Sequence, residues 1–169
     1  PFTEATTVAA LYYLVHSTFA AGALFLVIDM VQARRGTCAL EQRAPIVQSG
    51  LVAALFFAAA IATTGLPPLS GFIGKLFVLD ALRDHPLAVW VWAVVLVTSL
   101  VAVVGFARAG SIVFWKAHAS PSEEPGRAPA TGVPLAGLGL VLALIGAMTV
   151  AAGPLTEYLT ATASQLYAP

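Results

Sequence analysis

Lys75 is the residue of this chain best placed to do chemistry. It closes the stretch Gly65-Leu66-Pro67-Pro68-Leu69-Ser70-Gly71-Phe72-Ile73-Gly74-Lys75, which interrupts a long apolar run. Gly65, Pro67, Pro68 and Gly71 predict a broken helix, because proline removes a backbone donor and clashes with the preceding turn. In a bilayer the freed backbone groups must be buried in protein or line a wet cavity. An ionisable residue at that depth marks a functional site. A second half-helix starting near Ser70 or Gly71 places Lys75 about one turn inside its N-terminus. Desolvation and the positive end of the half-helix dipole then both disfavour the charged ammonium. The chemistry on offer is reversible proton carriage. Thr63, Thr64 and Ser70 can hydrogen-bond the interrupted backbone and any ordered water. Gly71 and Gly74 permit a neighbouring helix to come close. The plainer reading is a lysine that snorkels from a helix end, and the adjacent break argues against it.

His16 is the second titratable group inside an apolar segment, with Ser17 and Thr18 beside it. Neutral imidazole costs less in a membrane than an ammonium and titrates near physiological pH. It reads equally well as a proton relay or as a structural histidine bonded between helices. Asp29 precedes the basic residues Arg34 and Arg35, and a pair with either is the simplest account of it. Asp80 and Asp84 flank Arg83 at a segment end, where solvation at the interface is expected. Arg108 is expected at the interface rather than in the bundle. His85 and His118 fall in loops. No second His or Cys stands at ligand spacing, so no metal site or cofactor is expected. Nor is there a phosphate loop or a set of residues at the spacing of a hydrolase, and the chain is not read as an enzyme.

The elements that must position these groups are membrane segments. The 169 residues are 59% hydrophobic and 9% charged, against roughly 25% charged in soluble domains. Eight acids and eight bases cannot cover a water-facing surface, and the zero net charge gives no reason to expect a nucleic-acid partner. The lone Cys38 cannot form an internal disulfide. The expected fold is all-α: a polytopic membrane helix bundle with four membrane-crossing segments, the second discontinuous. Their bounds are about 8–31, 46–82 (broken near 64–71), 87–114 and 133–152, each offering the roughly 20 apolar residues a span requires. Pro45 predicts the start of the second segment. Ala136, Gly137, Gly139, Ala143, Gly146 and Ala147 predict a helix-packing surface on the fourth. All of residues 1–169 read as one transmembrane domain, and the absence of a starting Met suggests a piece of a longer chain.

The loops Gln32–Arg43 and Lys116–Thr131 hold five Lys and Arg between them, and the loop around Arg83 holds one. Pro121, Pro125 and Pro129 make the later basic loop non-helical. The positive-inside rule places both basic loops in the cytoplasm and the C-terminus on the opposite side. Tyr12, Tyr13, Trp90 and Trp92 then fall near the outer interface and Trp115 near the inner one, as an aromatic belt.

The stretch Thr64-Gly-Leu-Pro-Pro-Leu-Ser-Gly-Phe-Ile-Gly-Lys75 resembles the discontinuous-helix signature of antiporter-like membrane subunits. That family includes the Mrp-type multisubunit cation/proton antiporters and the large proton-pumping subunits of respiratory complex I. Leu11-Tyr-Tyr-Leu-Val-His-Ser-Thr18 resembles the family's histidine-bearing helix, and the run from Ser99 to Gly110 is most similar to the D subunit of the Mrp type. The resemblance implies the C-terminal part of a longer subunit with inverted repeats, of which only the second broken helix is present. It further implies that Lys75 is the terminal lysine of a proton path, with His16 leading to it. The expected function is proton translocation within a monovalent cation (sodium)/proton antiporter of a bacterial inner membrane, beside other membrane subunits. A proton-pumping subunit of a complex I-like or membrane-hydrogenase assembly is one alternative, and a non-conducting scaffold another.

Overall fold

The computed structural model describes residues 3–119 and 132–167. The order is α1 (Glu4–Arg35), α2 (Ser49–Thr64), α3 (Ser70–Ala81), α4 (Ala88–Gly110), α5 (Gly132–Val150) and α6 (Ala152–Tyr167). A π-helical turn, Ser111–Trp115, and a 3-10 turn, Lys116–Ala119, extend α4. No strand occurs among the described residues. Among the described residues, three helical stretches are long and apolar enough to cross a membrane: Glu4–Arg35, Ala88–Trp115 and Gly132–Val150.

Helix α1 is the axis of the bundle, touching α2, α3, α5 and α6. Thr3 caps it in a reciprocal box with Thr6, and Gly36 ends it in the left-handed region at φ 75°. Its buried stripe includes Val8, Tyr12, His16, Ala20, Ala23, Val27, Met30 and Arg34. These steps of three and four residues keep one helix face turned inward. Ala20 and Ala23 bring α1 close to Val52, Phe56 and Ala59 of α2 and to Leu138 and Ile145 of α5. A second cluster joins Val8 and Tyr12 to Met148 of α5 and to Leu159 and Ala163 of α6. By contrast, the apolar core window of α4 has no buried residue. Val94, Val97, Leu100, Val101 and Val104 all point outward from it, the arrangement that hydrocarbon surroundings favour.

Several expectations are corrected. The helix expected from Pro45 begins at Ser49, because Gln48 takes a left-handed conformation (φ 58°) and turns the chain first. Tyr12 is fully buried and its hydroxyl donates to the Met148 carbonyl at 3.1 Å, so it belongs to no interfacial belt. Asp29 is exposed and makes no pair with Arg34 or Arg35. Arg34 donates instead to the Met30 carbonyl and Gln48 Oε1, and Arg35 to the Glu41 carbonyl. The small residues of α5 do not form its contact: a Cβ on Gly137, Gly139 or Gly146 would meet nothing within 4 Å. The larger Leu138, Ile145 and Met148 make it. Helicity also resumes past the expected end of the fourth segment, as α6, whose Tyr167 hydroxyl meets Thr7 Oγ1 at 2.8 Å.

Asp80 and Arg83 form an exposed ion pair, and Arg108 is exposed. Trp90 and Trp115 are exposed as well. The His118 side chain and most of the second basic loop, with Pro121, Pro125 and Pro129, lie outside the described residues.

Candidate functional site

The site is built on the interruption between α2 and α3. Helix α2 ends at Thr64 because Gly65 turns left-handed, at φ 69°. The Gly65 N–H folds back onto the carbonyls of Ile61 and Ala62. Pro67 and Pro68 follow in the exposed link, and α3 restarts at Ser70. Helix α2 thus stops at Thr64 and α3 starts at Ser70.

A helix end leaves carbonyls without partners. Lys75 supplies one: its ammonium donates to the Thr64 carbonyl at 2.6 Å. A second bond, also 2.6 Å, goes to Ser99 Oγ on α4. The lysine stem reaches this point by passing over Gly65, where a Cβ would lie 2.9 Å from Cδ and Cε. Only glycine combines that clearance with the left-handed turn. Hydrogen bonds to a charged group are worth about 1.5–3 kcal/mol each, so the clamp both ends α2 and ties α4 to the break. The Lys75 ammonium meets no carboxylate within 4 Å among the described residues. Its side chain is half-buried and borders a cavity of about 270 Å³, shared with Tyr13, Val95, Thr98 and Ser99. The orientation fits the clamp rather than a lysine snorkelling to the surface.

His16 sits on the buried face of α1, 2% exposed. Its Nε2 lies 3.2 Å from the Ala62 carbonyl and its Nδ1 lies 2.9 Å from Ser70 Oγ. A carbonyl only accepts, so Nε2 carries a proton in this arrangement. Nδ1 is then the atom that gains or loses one, and Ser70 is its partner. Ser70 is itself fully buried. The imidazole thus reaches the break through Ser70 and makes no hydrogen bond with Lys75. Close approach depends on Gly71, where a Cβ would overlap the Ala62 carbonyl oxygen and lie 2.6 Å from His16 Nε2. The fit at Gly74 is looser, a Cβ there lying 3.1 Å from the Tyr13 ring and 3.3 Å from that of Tyr12.

Thr63 and Thr64 bond the backbone of the last turns before the break, and the Thr64 hydroxyl also donates to the Ile61 carbonyl at 3.2 Å. Their hydroxyls donate back to the carbonyls of Ala59 and Ala60 within α2, leaving only the Thr64 backbone in the clamp. Ser99 is the site residue that sequence reasoning missed. It lies 24 residues beyond Lys75, and an isolated serine in an apolar helix carries no signal by itself.

Residues 2–102 match the family described as NADH:quinone oxidoreductase/Mrp antiporter, TM. The chain is 32% identical, over 95% of its length and 34% of the relative, to the D subunit of a probable K(+)/H(+) antiporter of Rhizobium meliloti. It is 39% identical to the D subunit of the Na(+)/H(+) antiporter of Bacillus subtilis, over 43% of this chain and 15% of that one. It is 31% identical to the N subunit of the NADH-quinone oxidoreductase of Desulfitobacterium hafniense, over 55% and 19% respectively. The matches take in at most about a third of these relatives. The profile match runs through α1, the break and most of α4, and on that ground the chain belongs to the NADH:quinone oxidoreductase/Mrp antiporter membrane family.

Proposed function

We propose that this chain is the part of a D-type antiporter subunit that carries the last protonatable group of a cation/proton antiporter. The observation behind the reading is the Lys75 ammonium clamped on the Thr64 carbonyl, at a break inside the bundle. His16, titratable and hydrogen-bonded to Ser70, lies on the other side of α3's first turn. Protons pass from the His16–Ser70 pair to Lys75 and leave through the cavity beside it. Water carries the proton at the first step, because no hydrogen bond joins His16 or Ser70 to Lys75. The reaction moves ions and breaks no covalent bond of a substrate. Other membrane subunits complete the path, and a monovalent cation moves in exchange.

In this reading α2 and α3 together make one discontinuous crossing, the second of four. Their 16 and 12 residues rise about 42 Å at 1.5 Å per residue, enough for a hydrocarbon core of roughly 30 Å. The protein resides in a bacterial plasma membrane, with Arg34, Arg35 and Arg43 in the cytoplasm and the C-terminus outside. The native Cys38 tests this orientation, since it is exposed in the first basic loop. It should resist an impermeant maleimide in intact cells and react in inverted vesicles. Labelling in intact cells reverses the topology.

The function is tested in vesicles that hold the full-length subunit within its complex. An imposed sodium or potassium gradient should drive proton movement. His16→Ala should cut that flux about tenfold or more, because proton relays contribute on the order of a hundredfold or more. Ser70→Ala should cut it less, since water can replace a hydroxyl. Normal flux in assembled His16→Ala removes the histidine from the path. The match to a NADH-quinone oxidoreductase subunit supports one rival, a proton-pumping subunit of a redox complex. Flux driven by quinone reduction rather than by a cation gradient would favour it.

A further inference from the structure

We propose that the two oxygens holding the Lys75 ammonium, the Thr64 carbonyl and the Ser99 hydroxyl, form part of a binding site for a monovalent metal cation. The inference rests on Lys75 as a proton carrier, and it names what replaces the ammonium when the proton is gone. Both contacts to Nζ are 2.6 Å and both atoms are uncharged oxygens. Such oxygens can stand in for the hydration shell of a monovalent cation. Thr64 is the last residue of α2, so its carbonyl lies at the negative end of that helix dipole. Carbonyls at the C-terminal ends of interrupted membrane helices are suited to coordinating sodium.

Ser99 adds a second, independent argument. Its hydroxyl donates to the Val95 carbonyl at 2.5 Å, so its hydrogen is committed to its own helix. What Ser99 presents to Lys75 is a lone pair. That arrangement suits a cation, whether ammonium or metal; a neutral amine can still donate its two N–H groups to these oxygens, but without the charge that makes such bonds strong. On losing its proton the lysine is therefore held more weakly, and a metal cation can displace it. The lysine also has somewhere to go, for the cavity of about 270 Å³ borders its side chain and Ser99. With about 30 Å³ per water in the liquid, this space takes the withdrawn amine together with waters that complete the shell of a metal ion. Gly65 leaves the approach unobstructed by a side chain.

The exchange balances. The ammonium hands one proton to water in the cavity and retains its electron pair as an amine. One metal cation then takes the position, so one positive charge leaves and one arrives. Proton and metal ion exclude each other at the same two oxygens, which is the coupling an antiporter requires.

The test uses the purified complex with the full-length subunit. Lys75→Met vacates the position without adding a charge. This variant should bind radioactive sodium or rubidium at a site that Lys75→Met/Ser99→Ala holds about tenfold more weakly, the size of one lost bond to a charged partner. Adding Ser99→Thr instead should retain the site. Equal binding by all three variants overturns the proposal. Ser99→Ala alone, read by transport, covers the case in which Lys75→Met does not assemble. Its KM for the driving cation should rise by a larger factor than its maximal rate falls, with Ser99→Thr restoring both. An unchanged KM overturns the proposal. Failure of Lys75 as a proton carrier is read separately, from retained flux in Lys75→Arg.

Discussion

Gly71→Ala should lower the melting temperature of the assembled complex by several degrees and reduce proton flux, while Gly22→Ala and Gly105→Ala do neither. The difference is geometric. A Cβ at position 71 would overlap the Ala62 carbonyl oxygen and stand 2.6 Å from His16 Nε2. The first is backbone of the neighbouring half-helix and cannot turn aside. The second is a ring already held between Ser70 and Ala62. Overpacking of this kind costs about 1–3 kcal/mol, and displacing His16 also unmakes its two hydrogen bonds. At Gly22 and Gly105 a Cβ meets nothing within 4 Å. There alanine should be neutral or slightly stabilising, since it is the better helix former by about 1 kcal/mol. A differential melting curve of the three variants, with a flux assay in parallel, decides the matter. If Gly71→Ala behaves like Gly22→Ala, the close packing of α1, α2 and α3 around His16 is wrong.

The break was the most legible part of the chain. Gly65, Pro67, Pro68 and Gly71 each forbid or disfavour a continuing helix for a local reason, and local reasons survive tertiary context. His16 was legible in another way. It shares the spacing of Val8, Tyr12, Ala20 and Ala23, the stripe that α1 turns inward. The same stripe shows why Tyr12 was misplaced. Distance from a segment end fixes depth in the membrane, whereas the bond from Tyr12 to Met148 depends on rotation about the helix axis.

Ser99 and α6 were hidden for different reasons. The bond between Lys75 and Ser99 depends on how α3 and α4 lie against each other, which no local pattern encodes. Helix α6 carries Thr156, Thr160, Thr162 and Ser164, and that polarity lowers its hydropathy below any span. Their hydroxyls return to carbonyls three or four residues back, so the helix tolerates them. The small residues of α5 misled for a related reason. Composition shows that neighbours can come close, not that a neighbour is there.

Replacement of Lys75 is expected to have the largest effect on transport. In the structure the ammonium has two acceptors and no carboxylate among the described residues. A fixed charge needs only to persist, whereas a proton carrier needs to let go. Arginine separates the two, because its pKa of about 12.5 or higher holds the proton throughout. Its guanidinium can still donate to the Thr64 carbonyl, and the cavity beside Lys75 offers it room. Alanine removes the charge and both bonds together. The deciding measurement is proton flux against an imposed sodium or potassium gradient in membrane vesicles, for wild type, Lys75→Arg and Lys75→Ala, with complex assembly measured on the same membranes. Lys75 as proton carrier predicts that both variants assemble and that Lys75→Arg loses nearly as much flux as Lys75→Ala. Near-normal flux in assembled Lys75→Arg, with Lys75→Ala inactive, contradicts it and leaves Lys75 a structural charge.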